Sequence, residues 1–340
     1  SESAPTPTPS PSIVIDNSAM VARGGGWHTC AIVSGRVKCW GQNTDGQIGD
    51  NTKNDAYVPT TVSGLTTAVS VVNSGYENGC AVLNGRATCW GRNDLGQLGD
   101  NSAKTRLRPV QVTGLSTGVT DIASGYQHTC AVQSGGAKCW GRNWEGQLGD
   151  NSGSPASSRP VQVTGMTSGV QFIAAGTNHT CAMVNGAVKC CVENENGELG
   201  DNTVTLSFVP DAVSGLTADV TWVVSGWNHT CALQNGVMLC WGKNNKGQLG
   251  NSTTTNSSVP VNVSGMSSGV TSIAAGEEHT CAVKDNGLYC WGSNYYGQLG
   301  DDTKTDRTAP FVVPEFASGL GNDSAGAGAT HSCVLSNEKI

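Results

Sequence analysis

Cysteine is the residue type with the widest chemical capacity in this chain, since thiols bind metals, attack substrates and form disulfides. The sequence contains 14 cysteines, and most fall into pairs whose members stand nine positions apart. The pairs are Cys30 and Cys39, Cys80 and Cys89, Cys130 and Cys139, Cys181 and Cys190, Cys231 and Cys240, and Cys281 and Cys290. Cysteine-based zinc sites usually contain a Cys-x-x-Cys knuckle, and none occurs in the sequence. We therefore interpret the pairs as disulfides, with zinc as the alternative.

Cys191 and Cys333 are left unpaired by this spacing. Cys191 stands where other units carry a tryptophan, so we expect it to be a free, buried thiol. The partner of Cys333 would fall just beyond Ile340. This favours a C-terminus that has been cut, with a last unit that is short of a strand as the alternative.

The six histidines all occupy one position of a repeated unit, immediately before Thr or Ser and then Cys. A catalytic site would break this symmetry, so we interpret them as structural hydrogen-bonding groups; a histidine ring that binds an anion or a metal is the alternative. Gly-Asp-Asn turns such as residues 49–51 could hold calcium, but they lack the carboxylate density of a calcium loop. No His-Glu-x-x-His pair, phosphate-binding loop or dinucleotide fingerprint occurs. We expect no catalytic residue, no metal and no cofactor, and predict that the protein is not an enzyme.

The repeated unit that carries these residues is about fifty residues long and recurs throughout the chain. Each copy has an apolar run ending in Gly, a His-Thr-Cys run, a second Cys followed by Trp-Gly, a Gly-Gln-Leu-Gly turn and a run that begins with Pro. Four short strands between glycine-rich turns are typical of one propeller blade. We predict an all-β, seven-bladed β-propeller of four-stranded antiparallel blades, with the ring closed by N- and C-terminal strands and the seventh blade incomplete. The predicted organisation is a Pro/Ser/Thr-rich stalk or linker at residues 1–12 and a propeller at residues 13–340, with units at about 19–68, 69–118, 119–169, 170–219, 220–269, 270–318 and 319–340 plus 13–18.

The segment between the two cysteines of a pair has the pattern of a tight hairpin. Its midpoint at residues 84–85 is Asn-Gly, the strongest short signal for a type I′ turn, because both positions must accept positive φ. Counting outward from the equivalent midpoint at residues 34–35, Cys30 faces Cys39 at a non-hydrogen-bonded pair, where side chains approach most closely. Each disulfide would stabilise its hairpin by roughly 2.5 to 3 kcal/mol at most.

Three motifs recur in register over about residues 19–340: Gly-x-x-His-Thr, Trp-Gly-x-Asn and Gly-Gln-Leu-Gly. This pattern resembles the repeat of the regulator of chromosome condensation family, and the resemblance implies a seven-bladed propeller. The family's eukaryotic founder promotes nucleotide exchange on a small GTPase and binds chromatin, but this chain has neither an inserted wedge nor basic tails. With a cysteine pair in each blade, it looks like a secreted, bacterial-type member, and the resemblance implies binding rather than catalysis.

Aromatic residues at variable repeat positions are the best candidates for a binding surface. The Gly-x-x-His turns and the Trp-Gly-x-Asn loops should share one face, and exposed Tyr and Trp are typical of binding hot spots and sugar-stacking sites. The predicted partner-binding face comprises Trp27, Tyr76, Tyr126, Trp144, Trp227, Tyr295 and Tyr296. Packing between blades is the alternative role. We predict a non-catalytic extracellular or cell-surface module with a protein or glycan partner; the alternatives are a subunit of a surface layer or extracellular filament and, less favoured, a propeller hydrolase.

Composition narrows the classes of partner. With 19 basic and 26 acidic residues, the formal charge of −7 argues against nucleic acid. No apolar run approaches the eighteen residues of a membrane span, so we expect no membrane insertion. The 46 glycines and the charged fraction of 13% argue against a helical bundle and leave self-association open. Paired cysteines favour an extracellular or cell-surface location.

Overall fold

The computed structural model describes residues 20–21 and 25–336, whose regular structure is almost entirely β. Consecutive strands are neighbours in each antiparallel sheet. The four-stranded blades are β1 (Met20–Val21), β2 (His28–Val33), β3 (Arg36–Gly41) and β4 (Ala56–Thr61); β5 (Val69–Ser74), β6 (Asn78–Leu83), β7 (Arg86–Gly91) and β8 (Arg106–Gln111); β9 (Val119–Ser124), β10 (His128–Gln133), β11 (Gly136–Arg142) and β12 (Ala156–Gln162); β13 (Val170–Ala175), β14 (His179–Val184), β15 (Ala187–Val192) and β16 (Ser207–Ala212); β17 (Val220–Ser225), β18 (His229–Gln234), β19 (Val237–Gly242) and β20 (Ser257–Asn262); and β21 (Val270–Ala275), β22 (His279–Lys284), β23 (Gly287–Gly292) and β24 (Arg307–Val312). A short 3-10 helix (Pro314–Phe316) precedes a last sheet of β25 (Leu320–Ala327) and β26 (Ser332–Ser336).

The described chain has six four-stranded blades, so the prediction of a seven-bladed propeller was wrong. Within the described residues, the seventh unit contributes the two-stranded sheet of β25 and β26. The run at residues 13–18, predicted to close the ring, lies outside the described residues. The all-β propeller with four-stranded antiparallel blades is confirmed.

Two-residue turns with positive φ join the second and third strands of a blade. Ser34 and Gly35 have φ values of 50° and 72°, the left-handed conformation that a type I′ turn requires. This turn sets the register that places Cys30 opposite Cys39. The same register recurs in the other four-stranded blades.

Disulfide bonds are present at this register, within one hairpin of each four-stranded blade. They join Cys30 to Cys39, Cys80 to Cys89, Cys130 to Cys139, Cys181 to Cys190, Cys231 to Cys240, and Cys281 to Cys290. Cys191 is a buried free thiol and Cys333 a partly exposed one. Burial raises the pKa of the Cys191 thiol to about 12, and the nearby Asp211 carboxylate adds to the rise. The protonated Cys191 is therefore a small apolar packing residue.

Buried tryptophans connect four of the blades to the one before, and Cys191 takes the equivalent position in the fourth four-stranded blade. Trp140 is fully buried, and its indole Nε1 donates a 2.9 Å hydrogen bond to the Gln97 carbonyl of the preceding blade. The equivalent bonds run from Trp90 to Gln47, from Trp241 to Glu198 and from Trp291 to Gln248. Since each indole lies in the core between two blades, one repeat completes the packing of its neighbour.

Candidate binding site at one mouth of the channel

Two sets of loops meet on one face of the propeller. The first set is the Gly-x-x-His turn before the second strand of each blade, and the second set is the long loop between the third and fourth strands. Their backbones are hydrogen-bonded, with the Arg92 amide 3.0 Å from the Glu77 carbonyl and the Lys243 amide 2.7 Å from the Asn228 carbonyl. Variable residues from both sets can therefore contact the same partner.

A buried asparagine holds each long loop in shape. The side-chain oxygen of Asn43 accepts a 2.9 Å hydrogen bond from the Ile48 amide, and its Nδ2 donates a 2.9 Å bond to the Asn54 carbonyl. The equivalent buried residues are Asn93, Asn143, Asn194, Asn244 and Asn294. Asp50 accepts from the Thr52 amide at 2.9 Å, so its oxygen is used inside the loop. Among the described residues, no group of three or more His, Cys, Asp or Glu is arranged to hold a metal ion.

Four of the seven aromatics predicted for the partner-binding face lie together at one end of the central channel. The rings of Tyr76 and Tyr126, from neighbouring blades, have centroids 4.6 Å apart. Trp227, three blades from Tyr76, lies 6.0 Å from it across the channel. The Trp27 indole nitrogen donates a 3.1 Å hydrogen bond to the Tyr76 hydroxyl. We call these four residues the mouth cluster.

Glycines bring the turns that carry this cluster together. A Cβ built at Gly125 would lie 2.2 Å from the Gly176 carbonyl oxygen, and one at Gly176 would lie 2.5 Å from that of Gly226. Only glycine allows neighbouring turns to approach so closely. The residue after each glycine is thereby placed at the rim of the channel, beside a cavity of about 40 Å³ that Thr177 and Glu277 also line.

Glu277 supplies a carboxyl group at this rim. Burial raises its pKa to about 7, and the charge of Glu278 adds to the rise while Lys243 opposes it. Near neutral pH the Glu277 carboxyl therefore exists in both protonation states and can donate or accept a hydrogen bond. Lys243 forms a 3.0 Å ion pair with Glu278, which links two adjacent blades at the same rim.

Polar side chains continue around the mouth. Arg142 donates to Asn178 of the next blade at 3.2 Å and forms a 2.7 Å ion pair with Glu145. The Asn228 amide donates to Glu198 of the preceding blade at 3.3 Å. An aromatic centre with a polar border is the general arrangement of a recognition surface.

The other three predicted aromatics form a separate group on the long loops. Trp144, Tyr295 and Tyr296 are 60%, 70% and 60% exposed. Tyr295 and Tyr296 contact each other edge to face at 4.9 Å, and the Arg142 guanidinium lies 4.5 Å from the centre of a Trp144 ring. Among the described residues, no ring contact joins this outer group to the mouth cluster. The structure thus divides the predicted set into a converged group and an outer one.

Sequence analysis missed Thr177 and Glu277, because it selected only aromatic side chains. Both residues occupy the position after the glycine of Gly-x-x-His, as Tyr76, Tyr126 and Trp227 do. Listing every residue at that repeat position would have found them.

The histidines lie beneath this rim and connect the blades. His128 Nε2 lies 3.0 Å from the Thr180 hydroxyl of the next blade, and Thr180 donates in turn to the Gln147 carbonyl at 3.2 Å. Burial lowers the pKa of His128 to about 3, and the neighbouring His179 and Arg142 lower it further. A neutral, buried imidazole held this way serves packing, which agrees with the structural role inferred for the histidines.

Comparison with known families gives an unambiguous match. The model of the Regulator of chromosome condensation (RCC1) repeat matches residues 34–82, 84–132, 135–183, 193–233, 235–283 and 285–335. A second model of this repeat matches residues 119–147, 220–248 and 270–298. A comparison with curated proteins found no significant match.

Solved structures with the same fold include human WBSCR16, which is 22% identical with a TM-score of 0.81 over 94% of this chain and 86% of that one. Yeast RCC1 (Prp20), solved with Kap60 bound, is 22% identical with a TM-score of 0.79 over 92% of this chain and 80% of that one. The ectodomain of the receptor kinase ACR4 from Arabidopsis thaliana is 17% identical with a TM-score of 0.50 over 94% of this chain and 92% of that one. At these identities the likeness shows the fold alone. Since the repeat model covers most of its length, the chain belongs to the Regulator of chromosome condensation (RCC1) repeat family.

Proposed function

We propose that this protein is a non-catalytic, extracellular or cell-surface binding module that presents the mouth cluster to a protein or glycan partner. The observation that carries the proposal is the convergence of Trp27, Tyr76, Tyr126 and Trp227 from four blades onto one channel mouth. Aromatic rings supply large contact areas at low entropic cost, and their faces also stack on sugar rings. The polar groups at the rim would orient the partner through hydrogen bonds.

The fold supports a protein partner. Yeast RCC1 (Prp20), which shares this fold, is bound by the protein Kap60. The rim of the present chain carries Glu277 beside the mouth cluster and the Glu278 carboxylate, which is paired with Lys243. We infer that a protein partner would present basic or hydrogen-bonding groups there.

The disulfides support the location. Six disulfides within the described chain suggest an oxidising environment, because reducing compartments keep thiols free. In the described part of the chain, no helix has the length and hydrophobicity needed to cross a bilayer. The ACR4 propeller, similar in fold, is itself an ectodomain.

Substitution of the mouth cluster tests the proposal. The purified protein would first be screened against immobilised oligosaccharides and by cross-linking capture from the extracellular fraction of its source organism. Tyr126→Ala combined with Trp227→Ala should weaken the captured interaction at least about 30-fold, as expected when interface hot spots worth 2 kcal/mol or more are removed. Titration calorimetry with the identified partner measures this loss.

Tyr57→Ala is the matched control, because Tyr57 is 86% exposed on the outer strand β4. It removes an aromatic ring without touching the mouth, so affinity should stay within about twofold of the unsubstituted protein. Full affinity in the Tyr126→Ala, Trp227→Ala protein would contradict the proposal. Turnover of a captured glycan would contradict its non-catalytic character.

Self-association is a second candidate function, and the outer strands favour it. Tyr57 and Val58 on β4 are 86% and 53% exposed, and Phe208 on β16 is 47% exposed. Each strand lies at the edge of its sheet, where exposed apolar side chains promote strand pairing between molecules. Light scattering across a concentration series distinguishes the functions, since a layer or filament subunit grows in mass and a binding module stays monomeric.

A further inference from the structure

The position after the glycine of Gly-x-x-His carries side chains of several kinds. In chain order its occupants are Gly26, Tyr76, Tyr126, Thr177, Trp227, Glu277 and Ala329, with Gly-x-x-Asn in the second blade. Five of them, the three rings together with Thr177 and Glu277, line the cavity at the mouth of the channel. Glu277 is the one carboxylic acid in the set, so this repeat position gives the mouth a negative group.

The Glu277 carboxyl group has no hydrogen-bond or ion-pair partner among the described residues. Its neighbour Glu278 is paired with Lys243 at 3.0 Å, so that ammonium group is already bound to a carboxylate. Glu277 is partly buried, and a carboxylate in this position loses hydration that no protein group replaces. An unpaired acid in a concave surface is typical of a site that binds a ligand.

Two hydroxyl groups beside the same cavity are also without partners. Ser225 Oγ and Thr177 Oγ1 are buried, and neither forms a hydrogen bond within the described chain. Both residues line the cavity together with Glu277. Two hydroxyl oxygens and one carboxylate give three acceptors around one space, which matches a ligand group that has three N–H donors.

The aromatic rings at this cavity favour a positively charged ligand. The Tyr76 ring lies between those of Tyr126 and Trp227, at centroid distances of 4.6 and 6.0 Å and tilts of 52° and 50°. Since tilted rings do not cover one another completely, parts of their faces remain available to a ligand. These faces are electron-rich and attract a cation that lies within about 6 Å of the ring centre.

The space at the mouth is narrow. It measures about 40 Å³, and the channel below it contains a second cavity of about 30 Å³ that Ser225 also lines. One water occupies roughly 10 to 15 Å³ of such a volume, so the mouth has room for about three groups of that size. A single unbranched chain fits this space, whereas a planar guanidinium group or a trimethylated ammonium group is too broad. Lysine carries its charge on a flexible, unbranched four-carbon stem.

We propose that the mouth of the channel is a subsite for the primary ammonium group of a lysine side chain presented by a protein partner. The three N–H groups donate to the Glu277 carboxylate and to the hydroxyls of Ser225 and Thr177, while the ring faces surround the stem. This inference rests on the function proposed for the mouth cluster and adds the chemistry of one partner residue.

A capped peptide, acetyl-Gly-Gly-Lys-Gly-Gly-amide, is the probe of the subsite. Matched peptides carry norleucine, Nε-acetyl-lysine or arginine in place of the lysine, and titrations followed by saturation-transfer NMR give the dissociation constants. The lysine peptide should bind with a dissociation constant on the order of 1 mM, and each matched peptide should bind at least about 10-fold more weakly. Equal affinities for the lysine and norleucine peptides, or no binding of the lysine peptide, would overturn the proposal.

Substitutions in the protein separate the subsite from the overall charge. Glu277→Gln keeps the size of the side chain and should weaken the lysine peptide at least about 10-fold, without changing the affinity for the norleucine peptide. Ser225→Ala should weaken the lysine peptide by a smaller factor. Asp285→Asn is the matched control, because it removes one negative charge from the hairpin turn of the same blade, where Asp285 is 72% exposed. An equal loss in the Asp285→Asn protein would show that only net charge matters and would overturn the proposal.

The pH dependence of binding is a second readout of Glu277. Burial raises the pKa of this carboxyl group to about 7, with Glu278 adding to the rise and Lys243 opposing it. The pKa of His279 on the same turn is lowered to about 3, so this imidazole stays neutral near pH 7. The affinity for the lysine peptide should therefore increase up to about 10-fold between about pH 6 and 8, where lysine itself stays charged. The same increase in the Glu277→Gln protein would contradict the assignment of the acceptor.

The partner captured for the mouth cluster distinguishes a failure of this inference from a failure of the proposed function. Acetylation of the partner's lysines, or Glu277→Gln in this protein, should weaken the complex at least about 10-fold. If both leave the affinity unchanged while Tyr126→Ala combined with Trp227→Ala abolishes binding, the mouth is a binding surface without an ammonium subsite. A captured glycan that has no amine would overturn the inference in the same way.

Discussion

The joint between two successive four-stranded blades differs in packing from the joint between the sixth blade and the seventh unit, although both are built from the same repeat. By joint we mean the contact between neighbouring units. At a complete joint Trp291 is fully buried and hydrogen-bonded to the preceding blade. Beside the described strands of the seventh unit, the corresponding space next to Gln298 is a cavity, and Trp40 of the first blade is partly exposed. The contrast shows that a single repeat holds only half of the packing it needs, and the following repeat supplies the rest.

The largest expected difference in stability between the two kinds of joint comes from replacing a tryptophan. Trp291→Ala should lower the free energy of unfolding by about 3 to 5 kcal/mol, because it empties a buried joint and removes a hydrogen bond. Trp40→Ala should lower the free energy of unfolding by less than half as much, since Trp40 is already partly exposed to solvent. Denaturation in guanidinium chloride measures both. Equal losses would show that the joint beside the seventh unit is as well packed as the others.

A smaller difference is expected for the cysteines. Replacing Cys231 and Cys240 together by serine should cost roughly 2.5 to 3 kcal/mol, because the unfolded hairpin regains the freedom that the disulfide removed. Cys333→Ser should change stability by less than about 0.5 kcal/mol, since this partly exposed thiol forms no disulfide. Thermal denaturation without reductant compares the two proteins. A large loss from Cys333→Ser would reveal a structural role for that thiol.

The stability difference expected for the histidines is smallest near neutral pH and grows as the pH is lowered. Burial lowers the pKa of His229 to about 3, helped by the nearby charges of His279, His179 and Lys243. In the unfolded state the imidazole takes up a proton near pH 6.5, whereas in the folded state it does so only near pH 3. The stability contributed by the neutral histidine is therefore fully present above pH 6.5 and is lost as the pH falls toward 3. Each such histidine contributes a slope of about 1.4 kcal/mol per pH unit.

His229→Asn should reduce the pH dependence of the free energy of unfolding by the contribution of one histidine. Asparagine is the matched replacement because Asn78 occupies the same repeat position in the second blade. His331→Asn should reduce it less, since His331 in the seventh unit is partly exposed. Denaturation curves at several pH values between 7 and 4 provide the slopes. Identical slopes for the unsubstituted protein and His229→Asn would exclude the histidines as the source of acid sensitivity.

Local chemistry made the hairpins predictable from the sequence. A two-residue turn at residues 34–35 determines which side chains face each other, so counting positions was enough to place Cys30 opposite Cys39. The number of four-stranded blades was not predictable in this way, because the repeat count includes the seventh unit, whose described residues form only β25 and β26.

Contacts between repeats were harder to predict, because they depend on the size of the ring and on single departures from the pattern. The approach of Tyr76 to Trp227 crosses the channel between blades that are not neighbours. In the second blade Gly79 replaces the threonine that pairs with a histidine elsewhere, and His28 Nε2 has no hydrogen-bond partner among the described residues. A Cβ at Gly79 would lie 2.5 Å from the Trp90 ring, so in this blade the indole lies closer to the second strand than a threonine there would allow.

The short span of the described disulfides has consequences for folding and for the evolution of the number of repeats. Since each described bond closes a loop within one hairpin, a blade can oxidise as soon as its own two strands pair, without waiting for the ring to form. A whole repeat can likewise be inserted or deleted without separating a sulfur from its partner. The covalent cross-links therefore leave the number of blades free to change.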